Sequence, residues 1–255
     1  MSAVTNFARA HLDQHGGTFA SAPPINHIQS AGLLTHVGAD ITDTLYSSVI
    51  SIIDAAQGIQ SGFYSWATVK LYYSLFYSIK ALLLHRGIGM FHYDSKPGLV
   101  EIKPGGLVRK LTTGESRGGS HGSALRLFRN TAPSSVLLTP IGMSDPLEWL
   151  KSLREEVNYS LPRFTEPNSP PWFEKSVGSN TLRRVAASYS TDLILYAFDP
   201  DHAALALPLL AARTAILEAA ALGNPIPADD ISFIGKSIKD DSGPITSLLS
   251  ILSLH

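Results

Sequence analysis

Residues 63–86 read FYSWATVKLYYSLFYSIKALLLHR. Val69, Tyr72, Phe76, Ile79 and Leu83 recur three and four apart, the period of an α-helix. Trp66, Tyr73, Leu75, Tyr77, Leu82 and Leu84 make the neighbouring faces apolar or aromatic as well, and only Thr68, Lys70, Ser74, Ser78 and Lys80 interrupt the belt. A helix wet along one side would carry a polar face, so this one is expected at the centre of a helical bundle. The basic pair His85-Arg86 and then Gly87 supply a C-terminal end with a left-handed cap. The mixture of Lys, Ser and Tyr argues against a membrane span.

Outward from this helix, the N-terminal side has a second stripe, Leu45, Val49, Ile52 and Ala56, with Thr42 or Asp43 as its cap and Gly58 and Ser61-Gly62 as its end. Together the two helices form a hairpin. Residues 26–36 are expected to form a short separate helix, and residues 1–25 an arm or short helix ending in Ser21-Ala22-Pro23-Pro24. His11 and His15 stand four apart, but a zinc-type site needs three or four donors and no third lies nearby, so no metal is assigned.

On the C-terminal side the pattern changes. Short apolar runs separated by Ser95-Lys96-Pro97-Gly98 and Lys103-Pro104-Gly105-Gly106 predict a small β-hairpin inserted at about 88–119. This insert concentrates positive charge at Lys96, Lys103, Arg109, Lys110 and Arg117. A helix resumes near Ser123. Asp145-Pro146-Leu147-Glu148 then combines a capping Asp, a first-turn Pro and a capping-box Glu. The helix it opens has Leu150, Leu153 and Val157 on its core side and ends at Pro162. Residues 163–180 read as a Pro/Asn/Ser-rich connection. Helices at about 181–197 and 201–222 follow, the second kinked at Pro208, and two short helical segments flank Gly243-Pro244.

Composition bounds the function. Of 255 residues, 44% are hydrophobic and only 16% charged, against an ordinary share of about 25%. Either an oligomeric contact or a Ser/Thr/Gly-rich surface accounts for so little charge. A net charge of −1 gives no global attraction for nucleic acid and leaves only local patches. The absence of cysteine excludes disulfides, thiolate metal sites and a cysteine nucleophile. No leader is apparent, so a cytoplasmic protein is expected. Phosphate-cradling glycine motifs and nucleophile elbows are missing too, and no cofactor is expected.

The chemistry-bearing candidates lie on the 145–160 helix. Lys151, Arg154 and Asn158 are spaced to line one polar face, and Tyr159 stands beside it. A guanidinium fork with an amide and a phenol could hold a phosphodiester. The plainer reading pairs Arg154 with Glu155 or Glu156 of another helix. His121, just ahead of a helix, is a candidate acid/base or a structural residue.

Three pieces of the chain, in order, resemble the HEPN superfamily of bacterial helical-bundle proteins. They are Tyr72-Tyr73, Phe76 and Lys80-Ala81-Leu82-Leu83; then Ser120-His121; then Arg154, Asn158 and Tyr159. The resemblance covers roughly residues 42–165. It implies a four-helix up-down bundle that dimerises through its Arg-bearing helices, and frequent roles as metal-independent ribonucleases in toxin–antitoxin and phage-defence systems. Active members carry Arg and His four to six residues apart on one helix. Here the helix from Asp145 has no His, and Tyr159 stands near the expected place.

The expectation is an all-α bundle over residues 26–165 with the 88–119 insertion, an arm at 1–25 and a helical extension at 166–255. Its candidate catalytic residues are Arg154, Asn158, Tyr159 and His121; its candidate nucleic-acid contacts are Lys103, Arg109, Lys110, Arg117 and Lys151. Two functions compete. One is an RNA-directed defence or toxin-type protein. The other is a catalytically silent, dimerising scaffold that binds a protein partner, a reading that leans on the apolar 203–222 segment.

Overall fold

A computed structural model describes residues 2–116, 118–164, 166–176, 179–238, 240 and 243–254, with 179 and 180 described by backbone alone. The elements run α1 (Ala3–Gln14), α2 (His27–Gln60), α3 (Tyr64–His85), β1 (Ile88–Tyr93), β2 (Lys96–Glu101), β3 (Val108–Lys110), α4 (Gly119–Thr131) and α5 (Pro146–Glu155). The C-terminal part adds α6 (Ser179–Thr191), α7 (Leu193–Ala197), α8 (Ala203–Ala221), α9 (Ala228–Ser237) and α10 (Pro244–Ser250). The protein is a mainly α bundle with one small antiparallel sheet.

The axis is α3, as its apolar belt requires. It packs against α2, α4, α5 and α8, with Leu71, Tyr72, Leu75 and Ile79 fully buried. Four of the five polar interruptions of the belt meet a specific neighbour. Ser74 and Ser78 are buried and both bond the Ser48 hydroxyl of α2 at 2.9 Å, which lets two helix backbones approach closely. Lys70 pairs with Asp54 at 2.7 Å. Thr68 accepts a hydrogen bond from the Trp172 indole at 3.1 Å. Gly87 ends the helix with φ +72°, the left-handed conformation expected of it.

Helix α2 departs from expectation. A short helix at 26–36 and a new start at Thr42 or Asp43 are replaced by one 34-residue helix. Its cap is Asn26, in a reciprocal capping box with Gln29, while Thr42 and Asp43 lie in its interior. Leu33, Val37, Ile41 and Leu45 are buried along it, so tertiary packing carries the helix through Gly32 and Gly38. The first residues are also built into the core: Val4, Ala8 and Leu12 of α1 are buried, and the Asp40 carboxylate accepts the Ala3 and Val4 amides at 2.9 Å each.

The insertion is a three-stranded antiparallel sheet in the order β1-β2-β3. Its hairpin turns at Asp94-Ser95, both with positive φ, overlapping only the start of the expected Ser95–Gly98 turn, while Lys96, Pro97 and Gly98 belong to β2. Gly89 of β1 is required because a Cβ there would collide with Val4 of α1.

The expected 181–197 helix is divided at Asp192, whose side chain caps α7. Helix α8 continues through Pro208. By length and composition α8 is apolar enough to cross a membrane, yet 72% of that stretch is buried within the fold, mainly against α3. It is spent on the chain's own core and does not offer the free apolar face that the scaffold reading relied on.

Candidate active site

Two clamps fix α5 against its neighbours. Asp145 caps it, accepting the Glu148 amide at 2.9 Å, and the same carboxylate binds Arg129 of α4 through two nitrogens at 2.6 and 2.8 Å. Leu147, Leu150 and Leu153 bury its core face. Beyond Glu155 the winding changes: residues Glu156–Ser160 form a π-helical turn, closed by the Leu161 amide on the Glu156 carbonyl at 3.1 Å. An α-helical continuation would put Asn158 on the Arg154 face. The wider turn brings Tyr159 there instead.

As a result the Arg154 guanidinium lies between two aromatic rings, 5.6 Å from the centroid of Tyr72 and 5.3 Å from that of Tyr159. Its Nε is buried without a hydrogen-bond partner, and among the described residues no carboxylate pairs with it. The Tyr73 hydroxyl faces it. The expected pairing with Glu155 or Glu156 is therefore absent; Glu155 pairs with Lys151 at 3.5 Å. Asn158 is partly exposed and makes no hydrogen bond among the described residues.

His121, in the first turn of α4, faces the same Tyr72. Its Nδ1 lies 2.9 Å from the Tyr72 hydroxyl, its ring stacks on Phe76 at 4.1 Å, and Tyr73 meets it edge-on at 5.6 Å. Burial first, then the cations Arg154, Lys80 and Lys151, hold the imidazole below its ordinary value, against the opposing pull of Glu155. His121 is therefore neutral at pH 7. Burial holds the Tyr72 hydroxyl well above its usual range, so it stays protonated. Burial also pulls the Lys80 ammonium down, against Asp40.

The structure thus brings Arg154 and His121 together on Tyr72, with Tyr159 over Arg154 and Lys151 close enough to act on His121. Sequence reasoning missed the hydroxyls of Tyr72 and Tyr73 and the role of Lys80 as site members. The readable signal was the adjacent phenols Tyr72-Tyr73 with Lys80 two turns on, in a mainly apolar belt.

The other candidate contacts lie on the sheet, where acids occupy them. Arg109 is bidentate to Glu115 at 2.8 and 2.9 Å and lies 3.9 Å from Glu101, which also pairs with Lys103 at 3.6 Å. Lys110 is exposed and has no ion pair among the described residues, and Arg117 lies outside them. The Arg109 bonds hold the Glu115 carboxyl down at about 2. Its unfolded value is near 4.5, so the stability it contributes is present above pH 4.5 and is lost as pH falls toward 2. In Glu115→Gln, thermal melts between those pH values are expected to show a shallower acid dependence than the parent's.

Among the described residues, no cluster of three metal-ligating side chains occurs. His11 instead bonds the Pro23 carbonyl at 2.9 Å, and His15 bonds the His11 carbonyl.

A helical bundle with a buried phenol joining an arginine and a neutral histidine defines a class of site suited to binding and polarising an anion. Residues 50–169 match the family model described as HEPN domain. That stretch, just under half of the 255 residues, is similar to the HEPN domain. No curated protein and no solved structure matches the chain. The domain match points in general to nuclease, RNA-related or defence-type functions.

Proposed function

We propose that the protein is an RNA-directed HEPN-type ribonuclease of a bacterial toxin–antitoxin or phage-defence system, acting in the cytoplasm. The observation that carries the RNA reading is the shared Tyr72 contact, which puts an unpaired guanidinium and a neutral imidazole at one site. In this reading Arg154 holds the non-bridging oxygens of a phosphodiester. His121 takes the proton from the ribose 2′-hydroxyl, and the 2′-oxygen attacks phosphorus. The bond from phosphorus to the 5′-oxygen breaks, and that oxygen leaves with a proton returned by the imidazolium. The products are a 2′,3′-cyclic phosphate and a 5′-hydroxyl. Lys151 and the Tyr73 and Tyr159 hydroxyls add positive potential and donors around the phosphate.

The silent-scaffold alternative loses its main support with the burial of α8 and keeps only the low share of charge. The discriminating experiment incubates the purified protein with total RNA and with tRNA, chelator present, and maps the ends. Cyclic-phosphate ends are expected. No cleavage of either substrate at micromolar protein would overturn the proposal and return the weight to the scaffold.

A further inference from the structure

The segment after Leu161 is more than a connection. The Glu166 carboxylate accepts hydrogen bonds from the Ser65 amide and hydroxyl at 2.7 and 2.9 Å, across about a hundred residues of sequence. Phe164 meets Trp66 edge-on at 5.8 Å, and the Trp172 indole is fixed on Thr68. These contacts pin the segment to the first two turns of α3. Between them lies an open cleft of about 570 Å³ lined by Glu156, Arg163, Phe164, Asn168, Ser169 and Trp172.

Two exposed aromatics mark this edge of the fold: Phe164 on the cleft wall is 45% exposed, and Trp66, whose ring meets Phe164, is 53% exposed. Large aromatics are seldom left this exposed together unless something covers them. Arg163 has no ion-pair partner among the described residues. The cleft also adjoins the candidate active site. Glu156, on its wall, opens the π-helical turn whose Tyr159 covers Arg154.

We infer that this cleft holds an unstacked base, with its flanking phosphate, of a single-stranded RNA whose scissile phosphate sits at Arg154. The inference rests on the proposed function and adds the substrate class. Ring faces at Phe164 and Trp172 supply sequence-tolerant stacking, with Trp66 backing Phe164; Arg163 supplies charge, and Glu156, Asn168 and Ser169 supply acceptors and donors for a base edge. A duplex keeps its base faces covered and cannot use such a cleft. A purely apolar protein partner is the poorer fit, because Glu156, Arg163, Asn168 and Ser169 stand among the apolar wall residues Leu161, Pro170 and Pro171.

The test titrates the full chain with a 2′-O-methyl single-stranded oligoribonucleotide, which lacks the attacking hydroxyl, and with the same sequence as a duplex. Binding is read by anisotropy and by tryptophan fluorescence. The single strand is expected to bind more tightly and to quench fluorescence, and Phe164→Ala and Trp66→Ala are each expected to weaken it about fivefold or more. Both side chains are half-exposed, so the variants are expected to melt like the parent. Equal binding of duplex and single strand, or unchanged binding in both variants, overturns the cleft; if cleavage of natural RNA persists, the ribonuclease reading survives that result. Absence of any RNA binding also overturns the inference. A shift from dimer to monomer in Phe164→Ala by light scattering would then mark the cleft as a protein interface.

Discussion

Alanine at Arg154 is expected to lower RNA cleavage by about 10² to 10³-fold, the range found when a preorganised donor to a developing oxyanion is removed. The guanidinium lies between Tyr72 and Tyr159, and no carboxylate competes with a phosphate for it among the described residues. Arg154→Lys keeps the charge and loses the planar fork, so an intermediate rate is expected. His121→Ala is expected to cost about 10² to 10⁴-fold. The double variant should be little worse than the poorer single one, because the two groups act in one step. Circular dichroism should show all of them folded. Wild-type cleavage in Arg154→Ala would remove the site from the mechanism.

The same site sets a pH signature. Burial and the three neighbouring cations hold His121 below 6.5, so a base function predicts activity that falls only below that pH. Lys80→Ala removes one cation, raises the imidazole value and should move the acidic limb upward. Stability follows with its own sign. Below pH 6.5 the unfolded chain takes up the proton before the folded one, so the melting temperature should drop with falling pH until the folded imidazole protonates. His121→Gln should lack this part of the acid dependence. An acidic limb at or above 6.5 in the parent would exclude His121 as the base.

What could be read from sequence depended on whether the controlling contacts were local. The central helix was legible because its belt is apolar on nearly every side, and α5 because Asp145, Pro146 and Glu148 all signal one start. The start of α2 was written in the Asn26–Gln29 capping box, but Thr42 or Asp43 read as the cap of a new helix, a break that long-range packing overrides. The π-helical turn leaves no periodic trace, since one extra residue per turn is selected by what surrounds Tyr159. The 161–173 segment looked like a connection because its bonds reach Ser65 and Thr68, a hundred residues away. Arg109 looked free for nucleic acid until the turn at Thr112 brought Glu115 onto it.

The largest stability effect is expected in α8. Leu207 is fully buried, and Leu217, on the same helix, is 48% exposed. Leu207→Asp forces an unpaired carboxylate into the core and removes a large apolar side chain. Together these cost upward of about 5 kcal/mol, comparable to the roughly 5–15 kcal/mol that holds a typical domain. The variant should therefore fail to accumulate as soluble, cooperatively melting protein. Leu217→Asp keeps its charge in water and should change stability by no more than about 0.5 kcal/mol in urea titrations. The pair separates three uses of an apolar helix. A membrane span would resist charge at both positions, and a partner-binding face would be sensitive at Leu217 while leaving the isolated chain folded. Only a core helix makes Leu207 the one intolerant site for folding, because α3, with Leu71, Leu75 and Ile79 fully buried, needs α8 as a wall.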